Sequence, residues 1–152
     1  MDHPADGALP KGFRVLYENE AFEDMIGPIL FRDSDSDRVG AFRAEARHCN
    51  GWGFVHGGML TAFADAALTG IENFHRDDPR AEGVVTVSLN CEFVASVKVG
   101  DWCECRGEVV RRGASLVFMQ GRLVVAGTVV MTCSTVLKRV RKRPDGPAAA
   151  TA

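Results

Sequence analysis

Charge of one sign is scarce in this 152-residue chain: 18 basic side chains face 20 acidic ones, leaving −2 with histidines neutral. So even a balance gives no overall pull toward nucleic acid or an anionic membrane. No apolar run approaches the ~18 residues of a membrane span. The opening residues, MDHPADGALPKG, lack the basic start and apolar core of a secretory signal. The expectation is a cytoplasmic protein with no nucleic-acid and no membrane partner. The five cysteines, Cys49, Cys91, Cys103, Cys105 and Cys133, include no C-x-x-C pair. Cys103-x-Cys105 has no second ligand pair at zinc-finger spacing, so half-buried reduced thiols and no metal set are expected. What is plentiful excludes disorder: hydrophobic residues are 46% and charged ones 25%, the balance of an ordinary globular chain.

The length suits one domain. Residues 1–12, with two prolines and two glycines, and 141–152 (RKRPDGPAAATA) read as loose ends, leaving 13–140 as the folded unit. A short helical stretch is expected near 19–26, with strands at Pro28–Asp33 and Val39–His48. In the second, Ala41, Arg43, Glu45 and Arg47 alternate with Phe42, Ala44 and Ala46, a period of two that predicts one wet face and one packed face. Residues 57–75, rich in Ala, Leu and Met, predict a long helix that stops before the turn Asp77-Asp78-Pro79. Val84–Val94, Trp102–Arg111, Ser115–Val125 and Thr128–Val140 then read as four strands. The short turns between them dictate antiparallel pairing. The fold class is α+β, one helix laid on an antiparallel sheet of about five to six strands. One helix cannot cover such a sheet, so self-association through a two-fold axis is expected.

From Gly58 to Gly70 the helix holds one ionisable residue, Asp65, among Met59, Leu60, Phe63, Leu68 and several alanines. A helix apolar on nearly all sides is a buried one. A carboxylate inside it must be paired, protonated or used. Two explanations stand at this point. Gly58, Thr61, Asp65, Thr69 and Glu72 share a face and could form a thin solvent stripe. Alternatively, Asp65 is a working group. The stretch before the helix, His48-Cys49-Asn50-Gly51-Trp52-Gly53-Phe54-Val55-His56-Gly57-Gly58, holds four glycines, two histidines and an asparagine. It opens onto a helix N-terminus, where free N–H groups can meet developing negative charge. His56 is either part of that site or a helix cap. Asp65 lies roughly 10–12 Å further along the axis, too far for one substrate atom to touch both.

Asn50-Gly51-x4-His56-Gly57-Gly58-x6-Asp65, followed by Val85-Thr86-Val87-Ser88-Leu89-Asn90, Phe93 and Val99-Gly100-Asp101, resembles the hot-dog-fold acyl-CoA thioesterases of the phenylacetic acid degradation (PaaI-like) type. The resemblance covers about residues 20–140. It implies a sheet wrapped around the long helix and a homodimer or homotetramer with sheets joined edge to edge and active sites at the subunit interface. It implies an acyl-CoA substrate, no cofactor and no metal. Asp65 would be nucleophile or general base. The N–H of Gly57, or of Gly58, would polarise the thioester oxygen. His56 would hold the thioester or leaving thiolate, and Asn50 would orient water or carbonyl. Thr86, supplied by the second subunit, would hold the water. Met59, Phe63 and Phe93 would wall a pocket for an aromatic or medium-length acyl group, and Arg111 and Arg112 would meet CoA phosphates. A related branch, the 4-hydroxybenzoyl-CoA type, carries its carboxylate on the loop before the helix, where this chain has Asn50. A non-catalytic acyl-CoA-binding module and a hot-dog enoyl-CoA hydratase are the alternative functions.

Overall fold

The computed structural model describes residues 9–17, 20–35, 37–74 and 82–141. A two-residue strand β1 (Arg14–Val15) and a short helix α1 (Ala21–Ile26) precede β2 (Leu30–Asp33) and β3 (Arg38–Arg43). A single 3-10 turn (Ala46–His48) and a loop lead to the long helix α2 (Gly57–Phe74). Four long strands follow: β4 (Glu82–Phe93), β5 (Trp102–Arg112), β6 (Leu116–Val125) and β7 (Thr128–Arg141). They form one seven-stranded sheet in the order β1-β2-β3-β5-β6-β7-β4, antiparallel at every step. A sheet packed around one long helix in this way is the hot-dog fold. Two expected features, the loose tail and the turn at residues 77–79, fall mainly or wholly outside the described residues.

Burial explains the wrapping. Leu60, Phe63, Ala64, Ala67, Leu68 and Ile71 of α2 are all buried, at 3% exposure or less, so apolar surface must be covered on several sides of the helix at once. The sheet can come that close because it offers glycines where the helix presses. Gly107 and Gly121 face one another across β5 and β6. A Cβ on either would meet Leu68 Cδ2, at 2.5 and 2.8 Å. A Cβ on Gly40 would lie 2.8 Å from the Cβ of Ala67. The C-terminal half of α2 is also held by charge: buried Arg38 donates to the Gly70 carbonyl at 3.0 Å and forks onto Asp33 at 2.6 and 3.0 Å. Cations are favoured at helix C-termini.

Four expectations need correction. β4 does not pair with β5, the strand that follows it, but crosses to the far edge of the sheet and pairs with β7. β3 ends at Arg43 rather than His48. Ala44 exchanges backbone hydrogen bonds with Gly100 and Asp101. The chain then turns, with the Glu45 N–H donating to His48 Nδ1 at 3.0 Å. Of the expected wet face, Ala41 is buried and Arg43 half-buried, while Glu45 and Arg47 are exposed but lie beyond the strand. Phe42 packs in the core beneath α2, while Val39 and Ala41 join Phe13, Leu30 and Trp102 in a second apolar cluster on the opposite side. Phe13 and Val15, beside and on β1, supply that cover. Lastly, Cys103, Cys105 and Cys133 are buried rather than half-buried. Burial pushes the Cys103 and Cys133 thiols up to about 12, which keeps them neutral and unreactive.

Two stability measurements follow from this packing. Gly40→Ala forces a methyl against Ala67, and urea unfolding is expected to show a loss of about 1–3 kcal/mol, the usual cost of overpacking. Gly51→Ala, where a Cβ meets nothing within 4 Å, serves as the near-neutral control. Burial, then the nearby Arg47 charge, lowers the His48 pKa from its ordinary 6.5. The unfolded chain therefore binds the proton more readily. The stabilisation is complete above pH 6.5 and is lost as the pH falls below it. The thermal midpoint of the wild type is expected to fall across that window, and His48→Gln to flatten this slope. A second loss, from Asp33 held down chiefly by its hydrogen bond from Arg38, belongs to the separate window below 3.8.

Candidate active site

The loop that leads into α2 is closed by a backbone bridge between Cys49 and Val55. Asn50 organises its interior. The side-chain oxygen of Asn50 accepts from the N–H groups of Trp52 at 2.9 Å and Phe54 at 3.3 Å. Its backbone N–H donates to the Phe54 carbonyl, and its carbonyl accepts from Gly53. Gly53 supplies the left-handed φ of +79° that this turn requires. The oxygen of Asn50 is thus engaged within the loop.

His56 sits at the helix start as a cap. Its Nδ1 accepts from the Gly58 N–H at 2.9 Å. The Met59 and Leu60 N–H groups both reach the His56 carbonyl, at 2.9 and 3.2 Å. That leaves one donor of the first turn. Among the described residues, the Gly57 N–H meets no acceptor, whereas the Gly58 N–H is occupied. Of the two amides considered from sequence, Gly57 is the one free to bind a developing oxyanion.

Two turns further on, Asp65 is half-buried. Thr86 Oγ1 donates to Asp65 Oδ1 at 2.6 Å. Both residues belong to the same protomer, so Thr86 needs no second subunit to reach this carboxylate. β4 presents Thr86 there because its pairing with β7 slips between Thr86 and Ser88, a bulge that re-aims the flanking side chains. Thr86 lies opposite buried Leu137, on the helix-facing side. Thr61, one turn before Asp65, donates to the Gly57 carbonyl at 2.9 Å and neighbours the Cys91 thiol. Burial, with the Glu92 and Asp65 charges, pushes that thiol up despite the neighbouring Thr61. Tyr17 OH donates to the Ala66 carbonyl at 3.1 Å, and burial raises the phenol far above its ordinary value of 10.0. Thr61, Cys91 and Tyr17 were not singled out as site residues from sequence. Thr61 was visible only through its spacing of four from Asp65, and the other two are brought here by tertiary packing.

The solvent-stripe explanation holds in part. Thr61, Asp65 and Thr69 are half-exposed, yet Glu72 is fully buried and its Oε2 accepts from Arg112 at 2.8 Å. That ion pair also corrects the expected phosphate site. Arg112 points to the helix side toward Glu72, while Arg111, beyond a slip in the β5–β6 pairing, is exposed and lies opposite the exposed Phe118. The two arginines do not form one anion-binding pair. The pocket wall changes as well. Met59 and Phe63 are core residues at 8% and 0% exposure, Phe63 stacking on Phe42 at 4.6 Å. Phe93 does line a groove of about 340 Å³, together with Phe54, Gly57, Leu60, Val94 and Val97. No helix among the described residues is long and apolar enough to cross a membrane. Nor do these residues include three or more His, Cys, Asp or Glu placed to hold a metal.

Comparison with known proteins agrees with this architecture. Residues 53–132 match the family model of the thioesterase superfamily. A Pseudomonas aeruginosa protein named as a candidate esterase is 34% identical over 129 residues, covering 84% of this chain and 95% of its own. The E. coli PaaI protein, from the phenylacetic acid degradation operon, superposes with a TM-score of 0.70 at 19% identity over 80% of this chain and 86% of its own. A Bacillus halodurans protein solved with CoA superposes with a TM-score of 0.63 at 19% identity, over 71% of this chain and 70% of its own. The likeness in sequence and in fold points one way: the chain belongs to the thioesterase superfamily, as a thioester hydrolase with the hot-dog fold.

Proposed function

We propose that this protein hydrolyses the thioester of an aromatic or medium-chain acyl-CoA to the free acid and CoA, with Asp65 as the catalytic carboxylate. The observation that carries this reading is the 2.6 Å hydrogen bond from Thr86 to Asp65 Oδ1. It fixes the carboxylate and occupies one oxygen, leaving Oδ2 for chemistry. Oδ2 either takes a proton from water as the water attacks the thioester carbon, or attacks that carbon itself to give an anhydride that water then opens. Both routes pass through an oxyanion, for which the Gly57 N–H at the positive end of α2 is suited. The intermediate collapses by breaking the C–S bond, and the thiolate leaves and gains a proton. A thiolate is a good leaving group, so this chemistry calls for no metal and no cofactor. A neighbouring solved structure with CoA bound favours CoA as the carrier.

Geometry also bears on assembly. Gly57 and Asp65 are eight residues apart on one helix, about 12 Å along its axis. One carbonyl cannot be served by both from the same copy. A second copy related by a two-fold axis, with its α2 running antiparallel, would set its Asp65 across from this Gly57. β4 supplies the means: it is an edge strand of the sheet and leaves Val85 and Val87 exposed. A long apolar edge invites pairing with another copy. Thr86 then travels with Asp65, and the loop at Asn50 and His56 with Gly57. A homodimer, or a tetramer built of such dimers, is therefore the proposed working form, acting without membrane or nucleic-acid partners in a cytoplasmic setting.

The test is chromatographic release of free CoA from short, medium, long and aromatic acyl-CoAs. Asp65→Asn is expected to lower kcat by about 10²–10⁴, the range for a positioned acid–base or nucleophilic group, with the fold intact by circular dichroism. Thr86→Val, which removes the hydroxyl but keeps the shape, is expected to cost less. Undiminished turnover in folded Asp65→Asn would refute the assignment. Saturable binding with no release from any substrate would favour a binding module instead. Light scattering is expected to show at least a dimer, and a monomer would contradict the shared site.

A further inference from the structure

We propose that Phe93 determines which acyl groups this enzyme accepts, by standing between the free amide of Gly57 and the apolar groove beside it. This inference rests on the thioesterase reading and extends it to one residue. Three observations bear on it. A Cβ built on Gly57 would lie 3.1, 3.3 and 3.6 Å from Cζ, Cε1 and Cε2 of Phe93. The tip of the ring therefore rests against the first residue of α2, at the peptide whose N–H is unpaired, and glycine is what lets it approach so closely. Second, the ring is 55% exposed. It is not locked into the core, as Met59 and Phe63 are, and its free surface forms part of the groove. Third, that groove, about 340 Å³ in volume, is lined by Phe54, Val55, Leu60, Val94 and Val97, with Ser96 as its one side chain bearing a polar atom.

A thioester oxygen held by the Gly57 N–H puts the first carbons of the acyl group against the Phe93 ring. The apolar groove is the chemistry that suits the remainder of the chain. The ring then occupies volume that a longer or branched acyl group would need. The three atoms nearest to a Cβ at Gly57 all belong to Phe93, so trimming this side chain should widen the site without moving the amide.

The experiment compares kcat/KM for butanoyl-, octanoyl-, decanoyl- and phenylacetyl-CoA in wild type, Phe93→Leu and Phe93→Ala. One methylene in an apolar pocket changes selectivity by about 10–200-fold. Phe93→Ala is accordingly expected to raise the decanoyl-to-butanoyl ratio at least tenfold, mostly through KM, with Phe93→Leu between it and wild type. Phe118→Ala, an exposed phenylalanine on the opposite face of the sheet, is expected to leave the ratio unchanged. Unfolding midpoints near wild type would show that the variants remain folded. An unchanged ratio in both Phe93 variants, with hydrolysis still present, overturns the specificity role and leaves the thioesterase reading intact. Absence of CoA release by wild type from every substrate is a separate result. It would overturn the thioesterase reading and the inference with it.

Discussion

Burying α2 on several sides constrains nearly everything else in this fold. Leu60, Phe63, Leu68 and Ile71 need cover that one flat layer cannot give. The sheet must therefore curl around the helix, and Gly40, Gly107 and Gly121 are the places where backbone makes room for it. Close cover raises the cost of any polar atom on the helix that lacks a partner. Three such groups have partners in the structure. Arg38 serves the Gly70 carbonyl, Arg112 pairs with Glu72, and Thr86 donates to Asp65. The first two are structural. The third leaves a carboxylate oxygen uncommitted and half-exposed, which is where chemistry becomes available.

The same logic orders the helix start. Four first-turn amides need partners. The imidazole of His56 takes one and its carbonyl takes two. Gly57 keeps the fourth, beneath Phe93 and at the mouth of the apolar groove. A buried helix thus presents two functional points, an amide at its end and a carboxylate at its middle. Their separation along one rigid axis is what makes a second copy necessary in the proposed mechanism. The open edge of β4, the strand that carries both Thr86 and Phe93, is where that copy would join.

Much of this was legible in the sequence. The composition of 57–75 and the lone Asp65 marked the helix and its central residue, and short turns marked the β5–β6 and β6–β7 pairings, whereas β4, expected beside β5, pairs with β7 at the sheet edge. Legibility failed where tertiary contacts decide. Period-two spacing in β3 implied a wet face, but Trp102 and Phe13 arrive from distant positions to cover it. Asn50 and His56 were credited with substrate contacts because polar groups in a glycine-rich loop fit that role. Their side chains also satisfy local backbone donors, through Asn50 Oδ1 and His56 Nδ1, a role that spacing alone does not reveal. Arg112 looked like an anion ligand because its partner, Glu72, lies 40 residues away. Met59 and Phe63 could not be told from pocket wall, since an apolar side chain looks the same in core and groove.

The most direct test of the shared site is complementation between two inactive variants. Asp65→Asn keeps the amide and loses the carboxylate. Gly57→Pro keeps the carboxylate and loses the amide, at a first helical position where proline is tolerated, with the exposed Phe93 ring shifting to admit the added Cβ. Each alone is expected to be nearly inactive in CoA release. Mixed dimers formed by co-expression are expected to regain hydrolysis, because one of their two sites joins an intact Gly57 to the partner's Asp65. Mixed dimers as inactive as the two parents would contradict a site built across two copies of α2.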